Sequence, residues 1–303
     1  MPGSWSLSRR YQALAERGAI FTRIRRFFEE KGYLEVETPF RIPAPAPEAQ
    51  IDAIPADGWF LQTSPELCMK RMLTAGYERI FQICRCWREG ERGSRHLSEF
   101  TMLEWYRANA DYLFLMDETE ALIRAAAVGT LVSYRGLSID LSLPWERITV
   151  AEAFRLHARG SVEDALRDGS FDELMVERIE PKLGITRPTF IYDYPASCSA
   201  LARLKKNDPS VAERFELYIG GLEIANAFSE LIDPVEQRSR FEAEAAERAS
   251  QGKVTYPMPE KFLAALAGMP EAAGIALGLD RLAMVLLDAE SIDQVVAFTT
   301  EEL

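Results

Sequence analysis

Histidine is nearly absent from this chain, cysteine is sparse, and no long apolar run occurs. Each shortage excludes something. The four cysteines stand at 68, 84, 86 and 198, and the two histidines at 96 and 157. Cys84 and Cys86 share a strand face, but no second pair or histidine cluster completes a zinc site. Reduced, cytosolic thiols are the expectation. No segment approaches the roughly 20 apolar residues of a membrane span. The start, Met1-Pro2-Gly3-Ser4-Trp5, lacks the apolar core of a signal peptide. Positive charge is also short: the net charge is −12, which argues against a broad nucleic-acid-binding surface. It leaves room for a local basic patch of Arg85, Arg88, Arg92 and Arg95.

What is present is a chain of 303 residues, 48% hydrophobic, able to bury a real core as one large domain or two small ones. Ile20, Ile24, Phe27 and Phe28 form a helical stripe ending at Gly32. Pro43-Ala44-Pro45-Ala46-Pro47 reads as a stiff connector. Residues 111–127 and 150–182 read as helices broken by short loops, forming a helical insertion over about 111–182 beside a sheet. Phe190 to Tyr194 reads as a strand, and 233–250 as a charge-rich helix with a solvated face. His157 reads as a surface helix residue. The order of elements predicts an α+β fold, an antiparallel sheet flanked by helices.

Chemistry concentrates in three places. In the first, alternation puts Gln82, Cys84, Cys86 and Arg88 on one strand face. Phe100, Met102, Glu104 and Tyr106 share a face of the return strand. The connection, residues 89–98, is too long for a tight hairpin and carries Arg92, Arg95 and His96. An anion and an ammonium would both find partners there. Taken alone, a solvated polar face explains the hairpin as well. In the second, Gly274-Ile275-Ala276-Leu277-Gly278 reads as a strand of small residues running into a helix. Glycine in a strand marks close approach of a ligand or backbone, and Arg281 near the helix start favours phosphate. A glycine-rich core strand is the plainer explanation. In the third, Glu223, Asn226 and Glu230 sit amid apolar neighbours after the Gly220-Gly221 turn. Their oxygens suit Mg²⁺ shared with phosphates. Asn226 and Glu230 share strand parity and Glu223 does not, so alternation alone does not gather all three.

Together these stretches resemble the catalytic domain of class II aminoacyl-tRNA synthetases, lysyl-tRNA synthetases in particular. Leu34 to Pro39 is similar to motif 1, the dimer-interface element, Arg85 to Tyr106 to motif 2, and Gly274 to Arg281 to motif 3. The closer resemblance is to a truncated family, the elongation factor P–lysine ligases. The chain enters the motif 1 helix almost at once, leaving no room for the anticodon-binding OB-fold. Gln62 to Glu66 and Glu99 to Tyr106 resemble that family's wording. Ala276 stands where lysyl-tRNA synthetases carry glycine and the ligases alanine.

The resemblance implies a single catalytic domain over 1–303 and two half-reactions. Lysine or (R)-β-lysine is condensed with ATP to an adenylate, and a lysine of elongation factor P then takes the acyl group. Ser64 reads as a helix N-cap with Pro65 at the first helical position. By resemblance, Ser64, Pro65 and Glu66 also touch the amino acid, Glu66 at one amino group. Glu104, Tyr106 and Glu230 receive the other, and Ala276 floors the pocket. Arg88 bridges substrate carboxylate and α-phosphate, a task that suits a planar guanidinium. Phe100 and Arg281 sandwich adenine, Glu89, Gly90 and Glu91 lie along the nucleotide, and His96 lies near its outer phosphates. Glu223, Ile224 and Asn226 contact ATP, with Mg²⁺ on Glu223 and Asn226, and Gly278 lets the nucleotide approach. Arg88, Glu223 and Arg281 are the implied catalytic residues. A carboxylate nucleophile needs no general base, which fits a chain with two histidines.

Two positions depart from the family. Gly90 stands where relatives carry the glutamate that reads adenine, a task Glu91 is expected to take. Leu97-Ser98 replaces Asn-Pro, so Leu97 can contribute only its backbone. A cytoplasmic homodimer is expected, with no tRNA partner. Two other readings stand: an amino-acid-activating enzyme with a tRNA or small-molecule acceptor, and a non-catalytic regulatory paralogue.

Overall fold

The computed structural model describes residues 3–158, 160–199 and 201–303. Met1 and Pro2 of the N-terminal stretch, and Arg159, lie outside the described residues. Among the described residues nine strands make one sheet: β1 Leu34–Glu35, β2 Arg79–Trp87, β3 Glu99–Ala108, β4 Glu146–Thr149, β5 Thr189–Pro195, β6 Leu204–Lys205, β7 Asp208–Ile219, β8 Leu222–Ser229 and β9 Ala272–Gly278. Their spatial order is β1-β2-β3-β9-β8-β7-β5-β4, with β6 on β7. The pairings from β2 through to β5 are antiparallel, and only the edge pairs β1–β2 and β4–β5 are parallel. Among the described residues, the helices of eight residues or more are α1 Gly3–Glu30, α2 Glu66–Thr74, α3 Tyr112–Ala126, α4 Pro234–Ser250 and α5 Leu279–Leu286.

Alternation along β3 divides core from cleft. Leu103 and Trp105 point into the core, where Ile20, Ile24 and Phe28 of α1 and Leu115, Met116 and Ile123 of α3 meet them. Phe28 stacks on Phe81 with centroids 4.5 Å apart. Burying side chains of this size contributes about 1.5–3 kcal/mol each. Glu118 of α3 is buried there too, accepting from Tyr33 Oη (2.6 Å) and Trp105 Nε1 (3.1 Å). Gly32, at φ +71°, ends the α1 region in a conformation that favours glycine.

Three expectations need correction. The stretch 111–182 is not helical throughout. Between α3 and the short helices from Val150 onward lie a hairpin, Leu131–Tyr134 with Leu137–Asp140, and strand β4. Tertiary pairing with β5 makes β4 a strand. Helix α4 is not simply a solvated face, because Arg248 is fully buried. Ser64 lies one residue before the cap position: α2 starts at Glu66 with Pro65 as N-cap. Ser64 still does part of the capping, since its Oγ accepts from the Glu66 amide at 3.0 Å.

Candidate active site

The cleft lies on the face of the sheet opposite α1 and α3 and encloses about 1080 Å³, open solvent at its mouth included. Register builds its floor. Glu104 of β3 pairs with Ala276 of β9, which pairs with Asn226 of β8. Tyr106, Gly274 and Phe228 form the next row. Strand parity would have sent Glu223 to the other face. A bulge intervenes: Glu216 pairs with Asn226, yet Tyr218, two residues on, pairs with Glu223. The extra residue brings Glu223 onto the face of Asn226. Glu223, Ile224, Asn226, Ala276 and Gly278 all line the cleft, as do Ser64, Glu66, Arg88, Glu91, His96, Phe100, Glu104, Tyr106 and Arg281. Pro65, Glu89, Gly90 and Glu230 do not: Glu89 and Gly90 are exposed, and Glu230 lies buried beneath the floor.

One end of the cleft is acidic and dry. Glu104, 1% exposed, accepts from Ser64 Oγ (2.6 Å) and Tyr106 Oη (2.8 Å). Burial, with Glu66 nearby, pushes its carboxyl up to about 8. Burial likewise raises Glu230 to about 8. Lys70, 1% exposed, reaches both Glu230 and Glu66, the latter at 2.5 Å. Burial alone would lower its ammonium, but the two carboxylates hold it above its ordinary value. Sequence reasoning missed Lys70. Its signal was the Glu66–Lys70 spacing of four on a helix, which ordinarily marks a surface pair.

The other end is rich in guanidinium. Arg281 Nη1 donates to Glu223 Oε2 and to the Glu223 carbonyl, both at 3.0 Å. Its Nη2 lies 2.5 Å from His96 Nε2. Burial and then Arg281 lower the His96 pKa, keeping the ring neutral. The ring of Phe100 is covered by Arg88, whose Cζ sits 5.1 Å from the centroid, rather than by Arg281. Glu91 lies 3.7 Å from Arg88, while Gly90 turns the chain at φ +76°. Leu97 is buried and lines the cleft.

The proline-rich connector continues into a strap, residues 48–53, over the cleft. The buried Arg248 holds it: Nη1 donates to the carbonyls of Glu48 and Ile51, both at 2.8 Å, and Nη2 to Asp52 Oδ1 at 2.7 Å. The Glu89 amide, beside Arg88, donates to the Asp52 carbonyl at 2.7 Å. Glu48 and Ile51 of this strap line the cleft. No periodicity marked them.

Among the described residues, no group of three or more His, Cys, Asp or Glu is arranged to hold a metal unaided. Glu223 and Asn226 offer one carboxylate and one amide oxygen on a single face. Such hard oxygen donors suit Mg²⁺ whose remaining ligands are phosphates and water. Asn226 Oδ1 is oriented by Arg214 Nε at 3.2 Å, and Arg214 is in turn held by Glu216 at 2.7 Å. No helix of the described residues is long and apolar enough to cross a membrane.

A family model, tRNA synthetases class II (D, K and N), matches residues 5–302. The elongation factor P–(R)-β-lysine ligase of Pectobacterium atrosepticum is 41% identical, covering 98% of each chain. Those of Erwinia tasmaniensis and Enterobacter sp. (strain 638) are 40% identical, again over 98% of each chain. With its motif strands, its two-ended cleft and this match along nearly its whole length, the chain belongs to the class II (D, K and N) tRNA synthetase family.

Proposed function

We propose that this protein activates (R)-β-lysine, or lysine, with ATP and transfers it to a lysine side chain of elongation factor P. The observation that carries this reading is the polarity of the cleft. Buried carboxylates at one end suit an ammonium, and guanidiniums at the other suit a carboxylate and phosphates. Relatives bearing the ligase name match over 98% of their length.

In the first half-reaction a substrate carboxylate oxygen attacks the α-phosphorus, and the bond to pyrophosphate breaks. Arg88 neutralises the charge that builds between carboxylate and phosphate. Arg281 and Phe100 hold the adenine, and His96, neutral beside Arg281, donates or accepts at the outer phosphates. Mg²⁺ held by Glu223 and Asn226 would offset phosphate charge. In the second, the ε-amine of the acceptor lysine attacks the acyl carbonyl, the bond to AMP breaks, and the amine proton leaves to solvent. Positioning carries most of this rate. Glu104 and Tyr106 pair the distal ammonium, whose desolvation is costly without a carboxylate partner, and Glu230 supports them from beneath the floor. The single-domain organisation, a homodimer formed through the α1–β1 element and a cytoplasmic location belong to the same reading, the last because the acceptor is a translation factor.

ATP–pyrophosphate exchange tests it. Exchange dependent on (R)-β-lysine or α-lysine, lost in Arg88→Ala with the fold intact, is expected. Absence of exchange with any amino acid would contradict the reading and favour a regulatory paralogue.

A further inference from the structure

We propose that Glu48 is a specificity residue of the amino-acid subsite, its carboxylate receiving the amino group nearest the substrate's reacting carboxylate. This rests on the activation reading above and adds a contact that motif strands alone do not supply.

The placement is fixed from both sides. The Glu48 carbonyl is held by the buried Arg248, and the following amide, Ala49, donates to Glu244 Oε2 at 2.7 Å. Three residues further on, the strap is tied to the neighbour of Arg88 through Asp52 and Glu89. The side chain therefore lines the same cleft as Ser64, Glu66 and Arg88. Arg88 takes the substrate carboxylate, so the amino group closest to that carboxylate falls on this side of the cleft, away from Glu104 and Glu230.

The charges in the cleft then single out Glu48. Glu66 already has Lys70 as its countercharge at 2.5 Å, and Lys70 is shared with Glu230. Glu104 is occupied by two hydroxyls. Among the described residues the Glu48 carboxylate has no hydrogen-bond or ion-pair partner. The Nε of Arg88 is buried without a partner, and Glu48 is half-buried beside it. A substrate with a carboxylate and an adjacent ammonium supplies both missing partners. Burial, then Glu66 and Glu244, push the Glu48 carboxyl up to about 7, while the Arg88 and Arg214 guanidiniums pull it down without bonding it.

The test compares Glu48→Gln, Glu48→Asp and the unaltered protein in ATP–pyrophosphate exchange. 6-Aminohexanoic acid, which has the distal but not the proximal amine, serves as competitor. Glu48→Gln is expected to raise the KM for (R)-β-lysine by roughly 10- to 100-fold, the scale of one charge-assisted hydrogen bond. The KM for ATP and the inhibition constant of 6-aminohexanoic acid stay put, and Glu48→Asp recovers part of the loss. In the unaltered protein the KM for (R)-β-lysine falls as pH rises through about 7, where Glu48 ionises, and Glu48→Gln removes that part of the dependence, leaving the part near 8 that belongs to Glu104 and Glu230. An unchanged KM in Glu48→Gln, or equal losses for (R)-β-lysine and 6-aminohexanoic acid, overturns this inference while leaving activation standing. Absence of exchange in the unaltered protein overturns both.

Discussion

Replacing Gly274 by alanine asks whether the acidic end of the cleft is built as described. Gly274 pairs with Tyr106 on one side and Phe228 on the other. A Cβ there would run into the Tyr106 ring and Glu230 Oε1, far inside van der Waals contact. Neither neighbour has room to retreat. Tyr106 is 3% exposed and packed against the cluster that holds Leu67, Met69 and Ile80, and Glu230 is pinned by Lys70. Overpacking of this kind costs about 1–3 kcal/mol. Pushing the ring away also breaks the 2.8 Å bond from Tyr106 to Glu104, a hydrogen bond contributing about 0.5–1.5 kcal/mol. Urea unfolding of Gly274→Ala is thus expected to show a loss of about 1.5–4.5 kcal/mol. Amino-acid-dependent exchange should fall by roughly two orders of magnitude as the distal ammonium loses its aligned partners. Gly278, four residues along the same strand, is the control. A Cβ there meets only Arg281 side-chain carbons at 3.7–3.8 Å, an ordinary contact. Gly278→Ala should leave stability within about 0.5 kcal/mol while raising the KM for ATP. Equal stability losses at the two glycines, or full activity in Gly274→Ala, would refute the packing argument.

Lys70→Met leaves Glu66 and Glu230 without their cation and should cost about 3–5 kcal/mol in urea unfolding; a loss below about 1 kcal/mol would mean the triad is not the buried network described. The ligand-free protein should lose stability as pH rises from about 5 to about 8. Burial pushes Glu48 and Glu180 up to about 7 and Glu104 and Glu230 up to about 8, so the folded chain keeps protons there that an unfolded chain has released. His96, lowered by burial and Arg281, opposes this as one group against four. Thermal melts at constant ionic strength check it, and a Tm that climbs across this range contradicts it. Ala276→Gly removes a methyl from the floor between Glu104 and Asn226 and should raise adenylate formation with α-lysine relative to (R)-β-lysine; an unchanged ratio would count against a role for Ala276.

Much of the sheet was legible because strand alternation is a strong signal. It put Phe100, Met102, Glu104 and Tyr106 on one face, and the register rows around Ala276 and Gly274 follow from it. Parity misled only where the backbone broke it, at the bulge that carries Glu223 round to Asn226. The strap was not legible. Residues 48–53 have no periodicity, and their position depends on an arginine some 200 residues later, Arg248, with |i−j| of 200 to the Glu48 carbonyl. On a helix read as a solvated face, that arginine is buried because loop carbonyls and Asp52 satisfy its donors. Strand β4 was hidden for a similar reason, since its four residues become a strand only through pairing with β5.

The central claim is that the activated amino acid is passed to a protein. Incubation with ATP, Mg²⁺, (R)-β-lysine and purified elongation factor P, followed by intact-mass measurement of the factor and acid-precipitable label on tRNA, tests it most directly. The account predicts that elongation factor P gains the mass of one lysyl group on a lysine side chain, that Arg88→Ala abolishes the gain, and that tRNA stays unlabelled. Label on tRNA with no change in the mass of elongation factor P would contradict it.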